Sequence, residues 1–254
     1  MEITADSARG QELKRVIAGG EVEALRAMLD AEPALARARV AGPGRERRTL
    51  LHVATDWPGH FPRGRRRLRR CWSGGWTRRR RSRAATRRSG RCTGRRAATT
   101  WRRLMGWAID ALLDGGAAME SPGAIFTNGT AMSDAVIFAQ WAAARRLLER
   151  GAQTTFTEAA GLGEMDRLRA RWAEDPAPGV EMLTAALWHA CRGGQEEAAR
   201  FLVERGANLN WVGWDGIAPL DGAVQSGNRE LVAWLLGQGA RHGRGAGVDR
   251  LIAA

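Results

Sequence analysis

Apolar residues fall in short bursts at helical spacing along most of this chain, and the bursts come in pairs. In residues 185–210, AALWHACRGGQEEAARFLVERGANLN, Leu187, Ala190 and Cys191 sit at i, i+3 and i+4, giving a short helix one narrow face to bury. Gly194 can take the left-handed conformation that ends this helix and turns the chain. Ala198, Phe201 and Leu202 then make the stripe of a second, antiparallel helix, which Gly206 ends. Residues 218–241, APLDGAVQSGNRELVAWLLGQGAR, run through the same pattern, with Ala223 lying 33 residues after Ala190 and Gly239-Ala240 matching Gly206-Ala207. Neither helix of such a pair can bury its face alone, so the copies must stack.

These residues resemble the ankyrin repeat, whose pattern opens T-P-L-H-x-A, reaches G-H and closes L-L-x-x-G-A-D-x-N. TLLHVA at 49–54 matches the opening, with Thr49 and His52 in register, and Gly59-His60 falls on the G-H. APLDGA at 218–223 matches as well, with Leu220 in register and Asp221 where the family carries histidine. TAMSDA at 130–135 with RRLLERGA at 145–152 is a looser copy, and AIDALLDGGAAME at 108–120 reads as a closing half. IAGGEVEALRAMLDAEPALA near the N-terminus and EAAGLGEMDRLRARWAEDP at 158–176 read as degenerate copies. Ala159 lies 24 residues after Ala135, so the loop between those copies is shortened. The resemblance covers 12–62 and 108–241 and implies an all-α ankyrin-repeat solenoid of about six or seven copies. The expected division is N-terminal ankyrin-like copies at 1–62, an Arg-rich segment at 63–107, C-terminal repeats at 108–242 and a tail at 243–254.

Charge changes this picture at one place. The net charge is +13, yet residues 63–103 hold 18 arginines, and no acidic residue lies between Asp56 and Asp110. The rest of the chain keeps 22 basic against 27 acidic residues and is mildly acidic. Such a composition reads as disordered and, inside a stack held by neighbour contacts, predicts two weakly coupled halves. Two explanations stand. The segment reads as frameshifted, entered near residue 63 and left near 107: codons compatible with GRCTGRRAATTW at 90–101, read from each third base, translate as Pro-Leu-His-Trp-Ala-Ala-Ser-Ser-Asp-Asp-Val, a repeat opening. Alternatively Arg63–Arg103 is a nucleic-acid-binding arm on whose Trp72, Trp76 and Trp101 bases could stack. Non-specific nucleic-acid binding follows from the charge in either case.

Candidate chemistry is sparse. Cys71, Cys92 and Cys191 form no CxxC, and His189 and Cys191, two apart on a helix, make a poor metal pair. Cys191 reads as a small buried hydrophobe. The resemblance gives His52 a structural hydrogen bond to loop backbone, while His60 and His242 have no evident partners. Gly161 and Gly163 read as the turn between paired helices. No GxxxxGK[ST], HExxH or GxSxG occurs, so no catalytic residue, metal or cofactor is expected. No apolar run approaches the ~20 residues of a membrane helix, and a reducing cytoplasm is the default.

The resemblance implies a protein-protein interaction module or scaffold that meets its unknown protein partner through loop tips and the concave face. Trp211, Trp214 and Asp215 lie in the tip NLNWVGWDG, and Trp188 on a first helix could line the concave face. Trp141 and Trp234 read as core. The alternatives are a nucleic-acid-associated protein using 63–103 and an accessory subunit of an enzyme. Thr49, His52, Gly59, Ala190, Gly194, Gly206, Leu220, Asp221, Ala223 and Gly239 are expected to be structural repeat positions.

Overall fold

The computed structural model describes residues 1–42, 47–55, 105–123, 129–174, 178–213 and 216–243. They belong to two compact units, Met1–Asp134 and Ala135–Ala254. The Arg-rich segment, Gly59, His60, Trp214 and Asp215 lie outside the described residues.

In the first unit, helices α1 (Ala8–Gly19) and α2 (Val22–Ala31) pair around a left-handed Gly20, with φ 65°. Ser7 caps α1 by accepting the Gly10 N–H at 3.1 Å. A short sheet joins this pair to the next elements: β1 (Glu2–Thr4) runs parallel to β2 (Arg39–Ala41), which runs antiparallel to β3 (Arg47–Thr49). The sequence reading did not include this sheet. Its strands are three residues each, too short for alternation to register, yet the alternation is present: Ile3 and Val40 pair and are both buried. Helix α3 (Leu50–Ala54) follows β3, and a helical stretch at 105–114 buries Ala108, Ile109, Ala111 and Leu112.

Helix α4 (Ala131–Ile137) crosses the boundary between the units. The second unit continues with α5 (Trp141–Glu149) and then three helix pairs. These are α6 (Phe156–Leu162) with α7 (Met165–Glu174), α8 (Val180–Gly193) with α9 (Glu196–Val203), and α10 (Pro219–Ser226) with α11 (Arg229–Gly237). One core runs through the three pairs, with Ala159, Ala160, Leu168, Leu187, Ala190, Cys191, Leu202, Ala223 and Leu235 all fully buried. The shortened loop is present as well, since α5 ends at Glu149 and α6 begins at Phe156.

Two hydrogen-bond patterns repeat. First helices α1, α4, α6 and α8 end on a left-handed residue, and the next N–H reaches back to a buried carbonyl: Glu21 to Val16 at 3.0 Å, Gln140 to Ala135 at 2.7 Å, Glu164 to Ala159 at 3.0 Å and Gln195 to Ala190 at 2.9 Å. Second helices end on Gly116, Gly151, Gly206 and Gly239, with φ between 83° and 93°. There the following alanine N–H bonds a fully buried leucine: Ala117 to Leu112 at 2.9 Å, Ala152 to Leu147 at 3.0 Å, Ala207 to Leu202 at 3.1 Å and Ala240 to Leu235 at 3.0 Å. Glycine supplies the left-handed residue except at Ala139, where φ is 55°.

Gly161 is not part of the turn between the paired helices. It lies inside α6, and Gly163 makes the turn with φ 74°. Its neighbours explain its smallness: a Cβ at Gly161 would stand 3.2 Å from the Trp141 ring, and one at Gly193 would collide with the Gly161 carbonyl. Helices α6 and α8 therefore meet backbone to backbone.

Ala139 carries a conformation that costs an L-residue roughly 1 kcal/mol. Ala139→Gly should raise the unfolding free energy by about 0.5 kcal/mol, the relief of strain outweighing the added freedom of the unfolded chain. The urea midpoint checks this, and an unchanged or lower midpoint contradicts the strain at that turn.

Candidate interaction surface

The repeat position held by His52 in α3 ties its helix to neighbouring loop backbone, and the copies of α6, α8 and α10 do so there with different chemistry. In α3 it is His52, whose Nε2 lies 3.3 Å from the Gly129 carbonyl. A carbonyl only accepts, so Nε2 carries the proton; Nδ1, 2.7 Å from Thr49 Oγ1, then accepts from that hydroxyl. Thr49 also accepts the His52 N–H at 3.4 Å. In α6 the position holds Glu158, which accepts the Thr155 N–H at 2.7 Å in a capping box. Trp188, 33 residues before Asp221, donates Nε1–H to the Ile217 carbonyl at 3.0 Å.

Asp221 completes the series. Its Oδ2 accepts the Ala218 N–H at 2.9 Å and the Gly243 N–H at 2.7 Å, while Oδ1 lies 2.6 Å from His242 Nδ1. The carboxylate is buried, so these donors, and not water, satisfy it. His242, which looked partnerless in the sequence, is thus bound to the residue that replaces the expected histidine. The signal was available as that replacement itself: a carboxylate at a histidine position needs a donor from elsewhere.

Trp188 does not line an open face. It is 3% exposed, its ring meets Trp211 edge-on at 6.3 Å, and the Arg192 guanidinium lies 4.3 Å over it. Trp211 is half-buried. Asn208 N–H donates to Thr184 Oγ1 at 2.9 Å and Asn210 Oδ1 accepts the Arg241 N–H at 2.7 Å, so the loop is held to α8 on one side and to the following segment on the other. Helix α8 starts earlier in its copy than α10 does, and its extra first turns carry Val180 and Met182, 59% and 45% exposed. Val212 in the adjoining loop is 39% exposed. Sequence periodicity did not single out these three residues, because exposure of an apolar side chain depends on where the helix begins.

Residues 174–245 match the family model for ankyrin repeats in three copies. These residues carry ankyrin repeats. No curated protein matches it. Among solved structures, the ankyrin repeat domain of human ASB11 aligns with 58% of this chain and 70% of its own at 21% identity, with a TM-score of 0.32.

Ala190, Leu220 and Ala223 are buried, and Gly194, Gly206 and Gly239 are left-handed. Trp234 is half-buried against the core with Arg200 4.7 Å over its ring, and Trp141 is half-buried beside Gly161. Arg205 lies 3.6 Å over Phe201, whose ring meets Trp172 edge-on at 6.2 Å. Cys191 is buried and its thiol is pushed up by that burial. Among the described residues no group of three or more His, Cys, Asp or Glu could hold a metal ion, and no helix is long and apolar enough to cross a membrane.

Burial lowers His52 to about 4, with the Gly129 hydrogen bond opposing and Arg48 and Arg39 adding to the effect. Burial, then Arg192, lowers His189 to about 3. Both folded values lie below the unfolded 6.5, so between them the unfolded chain binds more protons. Their stabilising share is complete above pH 6.5 and is lost as pH falls toward the folded values. By pH 5 each histidine should cost on the order of 1–2 kcal/mol relative to pH 7. Urea midpoints at pH 7 and 5 check the sign, and His189→Leu should flatten the slope; a chain equally stable at both pH values contradicts the buried neutral state.

Proposed function

We propose that this chain is a protein-binding module or scaffold that meets its partner at the start of α8 and the adjoining loop tip. Ankyrin repeats are generally protein-protein interaction modules. The observation that carries the reading is the exposure of Val180, Met182 and Val212, on a helix start and a loop that the Asn208–Thr184 hydrogen bond ties together. Apolar side chains held on a rigid frame lose little freedom on binding, and clustered ones mark interaction sites. Trp211 adds a half-buried ring, and by sequence Trp214 and Asp215 belong to the same loop. The concave face beside this loop belongs to the proposed surface too.

A non-enzymatic role fits the geometry of the acid–imidazole pair. Asp221 also receives two backbone amides, so its lone pairs are committed to holding the chain. The cytoplasm is the proposed compartment, consistent with a free, buried Cys191. The 18 arginines of 63–103 favour a second reading, nucleic-acid association. Deleting 63–103 should abolish retention on immobilised nucleic acid while leaving partner binding intact.

Replacing Val180, Met182 and Val212 together by serine should weaken capture of a partner recovered from the source lysate by at least about tenfold, equivalent to ~1.4 kcal/mol, with helicity unchanged. Binding equal to the parent chain removes this surface from the proposal.

A further inference from the structure

The N-terminal unit closes across the Arg-rich stretch using described residues alone. Arg37 Nε donates to the Gly116 carbonyl at 3.1 Å, and Arg39 Nη1 to the Pro122 carbonyl at 3.1 Å. Arg48 Nη2 meets Asp134 Oδ2 at 2.6 Å, where Asp134 is fully buried and the Arg48 side chain is 11% exposed. His52 reaches the Gly129 carbonyl, immediately before the next first helix.

The register of this closure can be measured against an uninterrupted copy. Trp188 makes the same join to Ile217 across 29 positions, whereas His52 to Gly129 spans 77, an excess of 48. Nearly all the excess falls before the second helix. His52 to its buried leucine, Leu112, spans 60 positions where Trp188 to Leu202 spans 14, an excess of 46. Residues 56–104 number 49. One copy therefore takes its first helix from Leu50–Ala54 and its second from 105–114, and the surplus matches the stretch between them.

We propose that residues 56–104 are an insertion within a single repeat, inessential to the fold of the unit that carries it. The expectation that this segment separates two weakly coupled halves at 63–107 gives way to an array that closes around it. Long insertions at a turn between packed elements add little to the closure entropy, because that cost grows only with the logarithm of loop length. What would weaken the unit is loss of the joins themselves, above all the buried Arg48–Asp134 pair, whose separation leaves an uncompensated charge.

The test is a full chain in which 56–104 is replaced by Gly-Ser linkers of about four, eight and twelve residues, the span of ordinary repeat loops. At one or more lengths the variant should melt no lower than the parent and keep the amide protection of His52 and Thr55, whose N–H groups bond Thr49 Oγ1 and the Leu51 carbonyl, in hydrogen exchange. In that variant Asp134→Asn should lower the melting temperature by as much as it does in the parent. Loss of His52 and Thr55 protection at every linker length overturns the proposal. So does an Asp134→Asn substitution that lowers the parent's melting temperature but not the deletion variant's, because the arginine–aspartate join would then depend on the deleted residues.

Discussion

Everything in this chain depends on a backbone constraint at helix ends. A helix of seven to fourteen residues leaves several carbonyls without intrahelical partners, and burying them unpaired would cost more than so short a helix could recover. At Gly20, Ala139, Gly163, Gly194 and the glycines that end second helices, the left-handed residue resolves this by swinging the next N–H back onto the carbonyl of a buried valine, alanine or leucine. Hydrogen-bond satisfaction and core packing are thereby fixed at the same residue. The leucines at 112, 147, 202 and 235 each supply a side chain to the core and a carbonyl to the turn. That double use explains why short helices with poor individual prospects persist as a stack.

A second constraint acts on the loops, and here the chain shows that role and residue type are separable. The position that begins as His52 becomes Glu158, Trp188 and Asp221, yet each ties its helix to neighbouring backbone. Imidazole does this by donating at one nitrogen and accepting at the other. Indole can only donate, so Trp188 binds a carbonyl. Carboxylate can only accept, so Asp221 collects amides and draws in the His242 imidazole. The substitution to aspartate thus brings a compensating histidine from the segment that follows the last helix, which becomes fixed to the final copy.

Legibility in the sequence followed from these constraints. The glycine and alanine spacing named the helix pairs, because those residues report backbone conformation and close packing that hold in any copy. The alanines at 190 and 223 are buried, and the glycines at 194, 206 and 239 are left-handed. Features that depend on tertiary partners were not legible. Trp188 could be placed on a first helix but not known to be covered, since Trp211 and the Ile217 carbonyl come from another segment and only Arg192 lies on the same helix. The three-residue strands carry too little pattern to be seen, and the His242–Asp221 pair joins residues 21 apart through a loop. The exposure of Val180 and Met182 arises from an early helix start that periodicity alone does not fix.

The same reasoning separates what supports the surface from what the surface presents. Trp188 and Trp211 look like equivalent contact residues in sequence, but the first has its indole N–H committed to Ile217 and its faces covered by Arg192 and Trp211. It acts as the base on which the loop rests. Val180, Met182 and Val212, by contrast, are exposed. A rigid support beneath exposed apolar side chains is the arrangement that lets a partner bury area without ordering the loop at the moment of binding. On the proposed reading the buried tryptophan holds the loop in place, and the exposed aliphatic residues offer the contact area.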